Sequence, residues 1–208
     1  SKEEKSYYNV LLEFEKGDSD SIMKSESLSL LTMPENVSFD IISRMGRHSS
    51  NLFENQKYRT KFFEKNLITN SFTEIIRIFD VDMVMKGKVK AAYSIMMNGG
   101  SMYYTADEYI QHLEHILHLL QTHENFHVYL PDAEEENQYM LYAREDIGTI
   151  VAKSSMPPVA LAINESNLTA AFWDFLQHTI GERTHQHEQR RLADYICQLK
   201  KMKQKAGC

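Results

Sequence analysis

The stretch that decides the fold is Tyr103–Leu120, Y-Y-T-A-D-E-Y-I-Q-H-L-E-H-I-L-H-L-L. Thr105 and Glu108 have the spacing of a capping box, in which each side chain satisfies a backbone N–H of the first helical turn. Beyond them an apolar face recurs at helical spacing, and its members are Tyr109, Leu113, Ile116, Leu117 and Leu120. The stretch therefore predicts an amphipathic helix over residues 105–123 that packs against a core.

Four short segments after this helix are rich in β-branched and aromatic residues and are bounded by turn-forming residues: Phe126–Leu130, Tyr139–Arg144, Gly148–Lys153 and Val159–Ile163. Their short connections predict an antiparallel meander. A second amphipathic helix is predicted over Asn167–Thr179, with Trp173 at the border of a shared apolar face made of Leu168, Ala171, Phe172, Phe175 and Leu176. The predicted fold is α+β, with an antiparallel sheet of about four strands packed against helices, a helical N-terminal region and a C-terminal helix.

The pattern divides the chain into three regions. Residues 1–70 form a mainly helical N-terminal region, residues 71–182 an α/β sensor-like region, and residues 183–208 a C-terminal basic helix and tail. In the first region we expect helices over 6–16, from Asp18 or Ser19 to about Leu31, and over 51–66, while Val37–Met45 fits a helix or a strand. The last helix carries a stripe that either docks on the core or pairs with a copy of itself: Leu192, Tyr195, Ile196, Leu199 and Met202.

The composition limits the possible partners. The net charge of the 208 residues is −6, and seven basic against two acidic residues between Arg183 and Lys205 leave −11 for the rest. An acidic body argues against direct nucleic-acid binding. No window approaches the run of about 18 apolar residues that a membrane span requires, so a cytoplasmic location without membrane contact is expected. The chain begins with Ser, so a preceding module is expected to be missing.

The sharpest enzyme signal is His123-Glu124-Asn125-Phe126-His127, which matches the H-E-x-x-H pattern of zinc peptidases. That chemistry requires one helix through both histidines. In this sequence Phe126, Val128 and Leu130 alternate like a strand, which would make the two imidazoles diverge. A zinc-dependent hydrolase that uses His123 and His127 is therefore kept as an alternative, and no metal site is predicted first.

Other chemistry is weakly represented. Glu108, His112 and His115 share a helix face, and His178, His185 and His187 lie close in sequence, but solvated histidines are the favoured interpretation of both groups. The chain has no glycine-rich phosphate loop and no G-x-S-x-G nucleophile elbow. Neither of its two cysteines has a catalytic or zinc-binding pattern. We therefore predict a protein without catalysis and without a cofactor.

Four runs together resemble one family: residues 101–120, D-I-G-T-I-V-A-K at 146–153, P-P-V-A-L-A-I-N at 157–164 and E-S-N-L-T-A-A-F-W-D-F-L-Q-H at 165–178. They resemble the C-terminal domain of bacterial Xre-like helix-turn-helix transcriptional regulators, over about Tyr7–Glu182. The resemblance implies a homodimeric regulatory domain that binds a small-molecule effector and meets DNA only through an N-terminal module outside this sequence. Some other regulators carry a phospholipase-D-like domain with an H-x-K motif. No histidine of this chain has lysine two residues later.

The leading hypothesis is thus a ligand-sensing and oligomerisation domain of a transcriptional regulator. Tyr103, Tyr104, Tyr142 and Trp173 are the predicted ligand-binding aromatics because they border the helix–sheet layer. Met83, Met85, Met96 and Met97 fit either an adaptable pocket or ordinary core filling. A protein-interaction domain is a further alternative, and an exposed apolar patch would favour it.

Overall fold

The computed structural model describes residues 14–45, 49–91, 101–132, 139–153, 159–182 and 185–206. Its centre is a six-stranded mixed sheet in the order β3-β2-β1-β4-β5-β6. The strands are β1 (Ser21–Lys24), β2 (Phe72–Ile75), β3 (Phe126–Tyr129), β4 (Met140–Arg144), β5 (Gly148–Lys153) and β6 (Val159–Ile163). Strands β1, β2 and β3 pair in parallel, whereas β1–β4, β4–β5 and β5–β6 are antiparallel pairs.

The helices of the described residues are α1 (Glu35–Ser43), α2 (Ser49–Asn66), α3 (Val81–Met85), α4 (Ala106–Thr122), α5 (Ser166–Ile180) and α6 (His185–Ala206), with a short 3-10 turn at Leu30–Thr32. The α+β class, the long helix α4 and the four strands of the second half are as predicted. The helix predicted over 6–16 lies largely outside the described residues. Of the two alternatives for Val37–Met45, the helix is the one observed, as α1.

The predicted antiparallel meander of about four strands is wrong in strand number and order. Strand β3 pairs in parallel with β2 and is separated from β4 by β2 and β1. The helix predicted from Asp18 or Ser19 to Leu31 is wrong as well, because Ser21–Lys24 is a central strand. Ile22 and Met23 lie on opposite faces of the sheet, and both are buried. A strand buried on both faces shows no alternation of apolar and polar residues.

The sheet also crosses the predicted boundary at residue 70. Strand β1 belongs to the predicted N-terminal region, yet it pairs with β2 and β4 of the predicted sensor-like region. Residues on both sides of position 70 therefore belong to one hydrogen-bonded sheet and to its main core cluster.

Helix α4 lies over one face of the sheet, where it forms the centre of the main core. Its capping box is present: the Thr105 hydroxyl accepts from the Glu108 N–H at 3.1 Å, and the Thr105 N–H donates to the Glu108 carboxylate at 2.8 Å. Leu113 and Ile116 are fully buried. The periodicity of the deciding stretch thus predicts both where the helix starts and which face it buries.

The C-terminal helix α6 docks on the core, which is one of its two predicted arrangements. Leu192, Tyr195, Ile196 and Leu199 are buried in the main core cluster, whereas Met202 is exposed. The Tyr195 hydroxyl donates to the Phe79 carbonyl at 2.6 Å. Lys200 and Lys203 form ion pairs with Glu114 and Asp107 of α4. The basic helix therefore meets acidic groups of its own chain.

The hydropathy of the helices bears on the predicted lack of membrane contact. Within the described residues, none of them combines the length and apolar character needed to cross a bilayer.

Candidate interaction surface

Strand β6 is the edge of the sheet on the side away from β3, and it is apolar without being covered by the part of the chain that the structure describes. Its sequence is V-A-L-A-I, and Val159, Ala160, Leu161 and Ala162 are all exposed. Leu161 exposes 58% of its surface. Edge strands of monomeric proteins are commonly protected by charged residues or by proline within the strand, and β6 contains neither. Among the described strands β6 pairs only with β5, so its outer edge presents backbone groups outside the sheet pairing together with apolar side chains.

Helix α5 extends this surface. Leu168, Ala171 and Phe175 recur at helical spacing and are all exposed, with Phe175 at 63%. The sequence predicts that these residues face the sheet together with Phe172 and Leu176. Of the five, only Leu176 is buried, and Phe172 is half-buried. The apolar arc of α5 is therefore wider than the part that the sheet covers.

A two-residue connection, Asn164 and Glu165, joins β6 to α5. The Glu165 carboxylate caps the helix by accepting from the Asn167 N–H at 3.1 Å and the Leu168 N–H at 2.8 Å. These backbone hydrogen bonds lower the pKa of Glu165, so the cap is ionised at neutral pH. A short, capped connection holds the exposed helix face and the exposed strand edge next to each other in the fold.

The four aromatics predicted to bind a ligand do not line one pocket. Tyr104 and Tyr142 are buried in the main core, Tyr103 is partly exposed, and Trp173 packs on the opposite face of the sheet. Tyr142 makes an edge-to-face contact with Phe14, with the ring centroids 5.1 Å apart. Of the methionines, Met83 and Met85 pack on the core, while Met96 and Met97 lie outside the described residues.

Two depressions among the described residues are further candidates for a ligand site. Tyr142 borders a cavity of about 10 Å³, which is about the smallest volume that can take one water molecule. An open depression of about 580 Å³ lies between α1 and α2, and its lining residues are Glu35, Asn36, Phe39, Asp40 and Phe53. The second has the volume of a small-molecule site, but it contains none of the predicted aromatics.

A buried polar chain runs beneath α4, and sequence reasoning missed its key member, Glu74. The Glu74 carboxylate accepts from the Ser29 N–H at 2.8 Å and from the Thr32 hydroxyl at 3.0 Å. The Thr32 hydroxyl lies 3.0 Å from His112 Nε2, and His112 Nδ1 lies 3.0 Å from the Tyr104 hydroxyl. The sequence does contain a signal for a buried Glu74. The two-residue repeat of an extended chain over residues 72–76 places it on the same face as Phe72 and Ile76.

The hydrogen bonds among these buried side chains determine where their protons lie. With Glu74 ionised, the Thr32 proton points to the carboxylate, so His112 Nε2 donates to Thr32 and Nδ1 accepts from Tyr104. His112 is therefore neutral, and burial, with a smaller effect of His115, holds its pKa well below 6.5. Burial also raises the pKa of Glu74 to about 7, against the two hydrogen bonds it accepts. All four side chains are almost completely buried, which suits a structural role.

The predicted metal groups are separated by the fold. His123 is the C-terminal cap of α4, whereas His127 lies within β3, so the two are not one helical turn apart. Glu108 forms an ion pair with Arg44 at 2.6 Å, and His112 is hydrogen-bonded to Thr32 in the core. His127 faces His185 with ring centroids 6.0 Å apart, and no group of three potential metal ligands forms among the described residues.

Comparison with known proteins identifies no relative: no family model, curated protein or solved structure matches this chain. We therefore interpret the β6–α5 surface from its geometry and from the sequence pattern described above.

Proposed function

We propose that this chain is the non-catalytic oligomerisation and sensing domain of a bacterial transcriptional regulator, and that it associates through β6 and α5. The observation that carries the proposal is the exposed apolar surface shared by Val159, Leu161, Leu168 and Phe175, whose exposed fractions are 44%, 58%, 51% and 63%. Large exposed apolar side chains on two elements that follow each other in the chain are typical of a protein interface.

The polar groups support a role without catalysis. A catalytic acid, base or nucleophile must reach its substrate, and Glu74, His112, Thr32 and Tyr104 are buried and bonded to one another. His123 and His127 lack the common helix of a zinc peptidase. These groups are better suited to fixing the helix–sheet arrangement than to chemistry.

A regulator of this kind acts by coupling. An effector that binds one arrangement of the dimer more tightly than another shifts the population of the two arrangements and, with it, the affinity of attached DNA-binding modules. The open depression beside Phe39 and Phe53 is the effector site that we propose within the described residues. It combines an aromatic pair, in edge-to-face contact at 5.5 Å, with the carboxylates of Glu35 and Asp40.

The proposal is tested by sedimentation velocity over a concentration series. We expect the wild-type chain to form a dimer, and Leu161→Lys and Phe175→Lys to shift it to monomer, because each places a charge within the apolar surface. Ile68→Lys is the matched control, since Ile68 is 75% exposed and lies in the turn after α2, outside this surface. A wild-type monomer at every concentration would contradict the proposal. One bound zinc per chain, lost in His123→Ala/His127→Ala, would favour the hydrolase alternative.

A further inference from the structure

The sequence of β6 is self-complementary. Val159-Ala160-Leu161-Ala162-Ile163 alternates large and small side chains and reads nearly the same in both directions. If β6 pairs antiparallel with β6 of a second copy, with Leu161 opposite Leu161, then Val159 lies opposite Ile163 and Ala160 opposite Ala162. Large side chains meet large ones and alanines meet alanines. An antiparallel pair of identical strands is two-fold symmetric and closed, as most homodimers are.

The register within the chain shows which face each residue takes. Ala160 and Ala162 lie opposite Ala152 and Ile150 of β5, which belong to the main core face. Leu161 and Val159 lie opposite Val151 and Lys153, on the face that α5 covers. The large side chains of β6 thus point to the α5 face, where the seam between two copies would carry an apolar row.

Helix α5 adds to that row. Trp173 and Ile180 pack on a cluster whose residues lie mainly in β1, β2 and β3, the part of the sheet away from β6. Phe175 follows Trp173 by two residues, which rotates it by about 200° around the helix axis. Because α5 lies over β4 and β5, its Leu168 and Phe175 side is directed towards the β6 edge.

We infer that β6 pairs antiparallel with β6 of a second copy about a two-fold axis at Leu161, so that the two six-stranded sheets join and the Leu168 and Phe175 sides of both α5 helices flank the seam. This inference rests on the proposed function and specifies its interface. A second copy is the favoured partner because the strand is complementary to itself, side chain by side chain, and carries no charge that would select a different sequence.

The available area is of the right order for such a dimer. Val159, Leu161, Leu168 and Phe175 together expose on the order of 400 Å² per copy, about half of the roughly 800 Å² that each partner buries in a standard interface. The backbone of the edge strand and the exposed Ala160, Ala162 and Ala171 contribute further area. The outward N–H and C=O groups of β6 gain partners at the same time.

Cysteine cross-linking tests the register. In a Cys197→Ser/Cys208→Ser background, Leu161→Cys should give a disulfide-linked dimer on mild oxidation, because opposed residues of an antiparallel pair have Cα atoms about 4.5–5.5 Å apart. Val159→Cys alone should not cross-link, since the two copies of residue 159 would be roughly 14 Å apart. Val159→Cys/Ile163→Cys should restore the link, because these two positions are opposite each other.

The outcomes separate the two proposals. Cross-linking of Leu161→Cys and of the double variant, but not of Val159→Cys, supports the inferred register. A dimer in sedimentation that Leu161→Cys does not cross-link overturns the register and leaves the proposed function standing. A chain that stays monomeric overturns both. The variants are placed at exposed positions, and circular dichroism of each one checks that the fold is retained.

Discussion

Helices α4 and α5 have the same kind of sequence and different surroundings. Both are amphipathic, and both are predicted from apolar residues at helical spacing. Leu113 and Ile116 of α4 are fully buried, whereas Leu168 and Phe175 of α5 are 51% and 63% exposed. Helical periodicity identifies the apolar face, but what covers that face depends on the rest of the fold or on another molecule. The cover of α4 is its own chain, and the cover that we propose for α5 is a second copy.

The largest difference in stability between α4 and α5 should appear when one leucine of each helix is shortened to alanine. Leu113→Ala should lower the free energy of unfolding by about 2–5 kcal/mol, because it leaves a cavity in a packed core. Leu168→Ala should change it by less than about 0.5 kcal/mol in a monomeric Leu161→Lys background, since its side chain is half exposed there. Urea unfolding measures both. Equal losses would show that α5 is covered by its own chain.

The buried, hydrogen-bonded Glu74 and His112 beneath α4 should make the free energy of unfolding depend on pH. Glu74 has its pKa raised from 4.5 to about 7, so its contribution is present below pH 4.5 and is lost as the pH rises through 7. His112 has its pKa lowered from 6.5, so its contribution is present above pH 6.5 and is lost as the pH falls. Between pH 4.5 and 6.5, lowering the pH therefore raises the free energy of unfolding through Glu74 and lowers it through His112, so the two effects offset each other.

Glu74→Gln should remove that offset. The free energy of unfolding of the variant, relative to wild type, should fall as the pH is lowered from 7 to 4.5, by an amount on the order of 3 kcal/mol. Urea titrations at several pH values provide the measurement, with Glu35→Gln as the control at an exposed glutamate of α1. Parallel pH profiles for Glu74→Gln and wild type would contradict the raised pKa of Glu74.

Removing the N-terminal cap of α4 or of α5 should have a smaller effect on stability. Thr105→Ala should lower the free energy of unfolding by about 1 kcal/mol, because it breaks the capping box of a helix packed in the core. Glu165→Ala should have a weaker effect, since its cap begins a helix that is largely exposed. Thermal unfolding of the two variants compares them directly. A greater loss for Glu165→Ala would indicate that α5 contributes more to the monomer than its exposure suggests.

Local sequence patterns predict local structure well in this chain. The capping box marks the start of α4, and turn-forming residues bound β3, β4, β5 and β6 within one residue or so. These features depend on hydrogen bonds and periodicities that lie within one segment. The strand order could not be predicted in this way, because it depends on β1 and β2 inserting between β3 and β4, through pairings of residues far apart in the sequence.

Local sequence patterns also predict the candidate site only in part. The H-E-x-x-H match competes with a strand pattern at Phe126, and the structure does place His127 in β3. The predicted aromatic residues all border the helix–sheet layer, but that layer has two faces, and Trp173 lies on the other one. The exposed V-A-L-A-I edge has a strand pattern in the sequence, yet its exposure becomes visible only when the sheet is complete.

Hydrogen–deuterium exchange at several protein concentrations tests the central claim most directly, because it reports on β6 and α4 in the same sample. If a second copy covers β6, the outward amides of residues 159–163 become protected as the concentration rises through the dimer dissociation constant, while the amides of α4 exchange at a constant rate. Exchange in β6 that is fast and independent of concentration would contradict the claim that a second copy covers this edge.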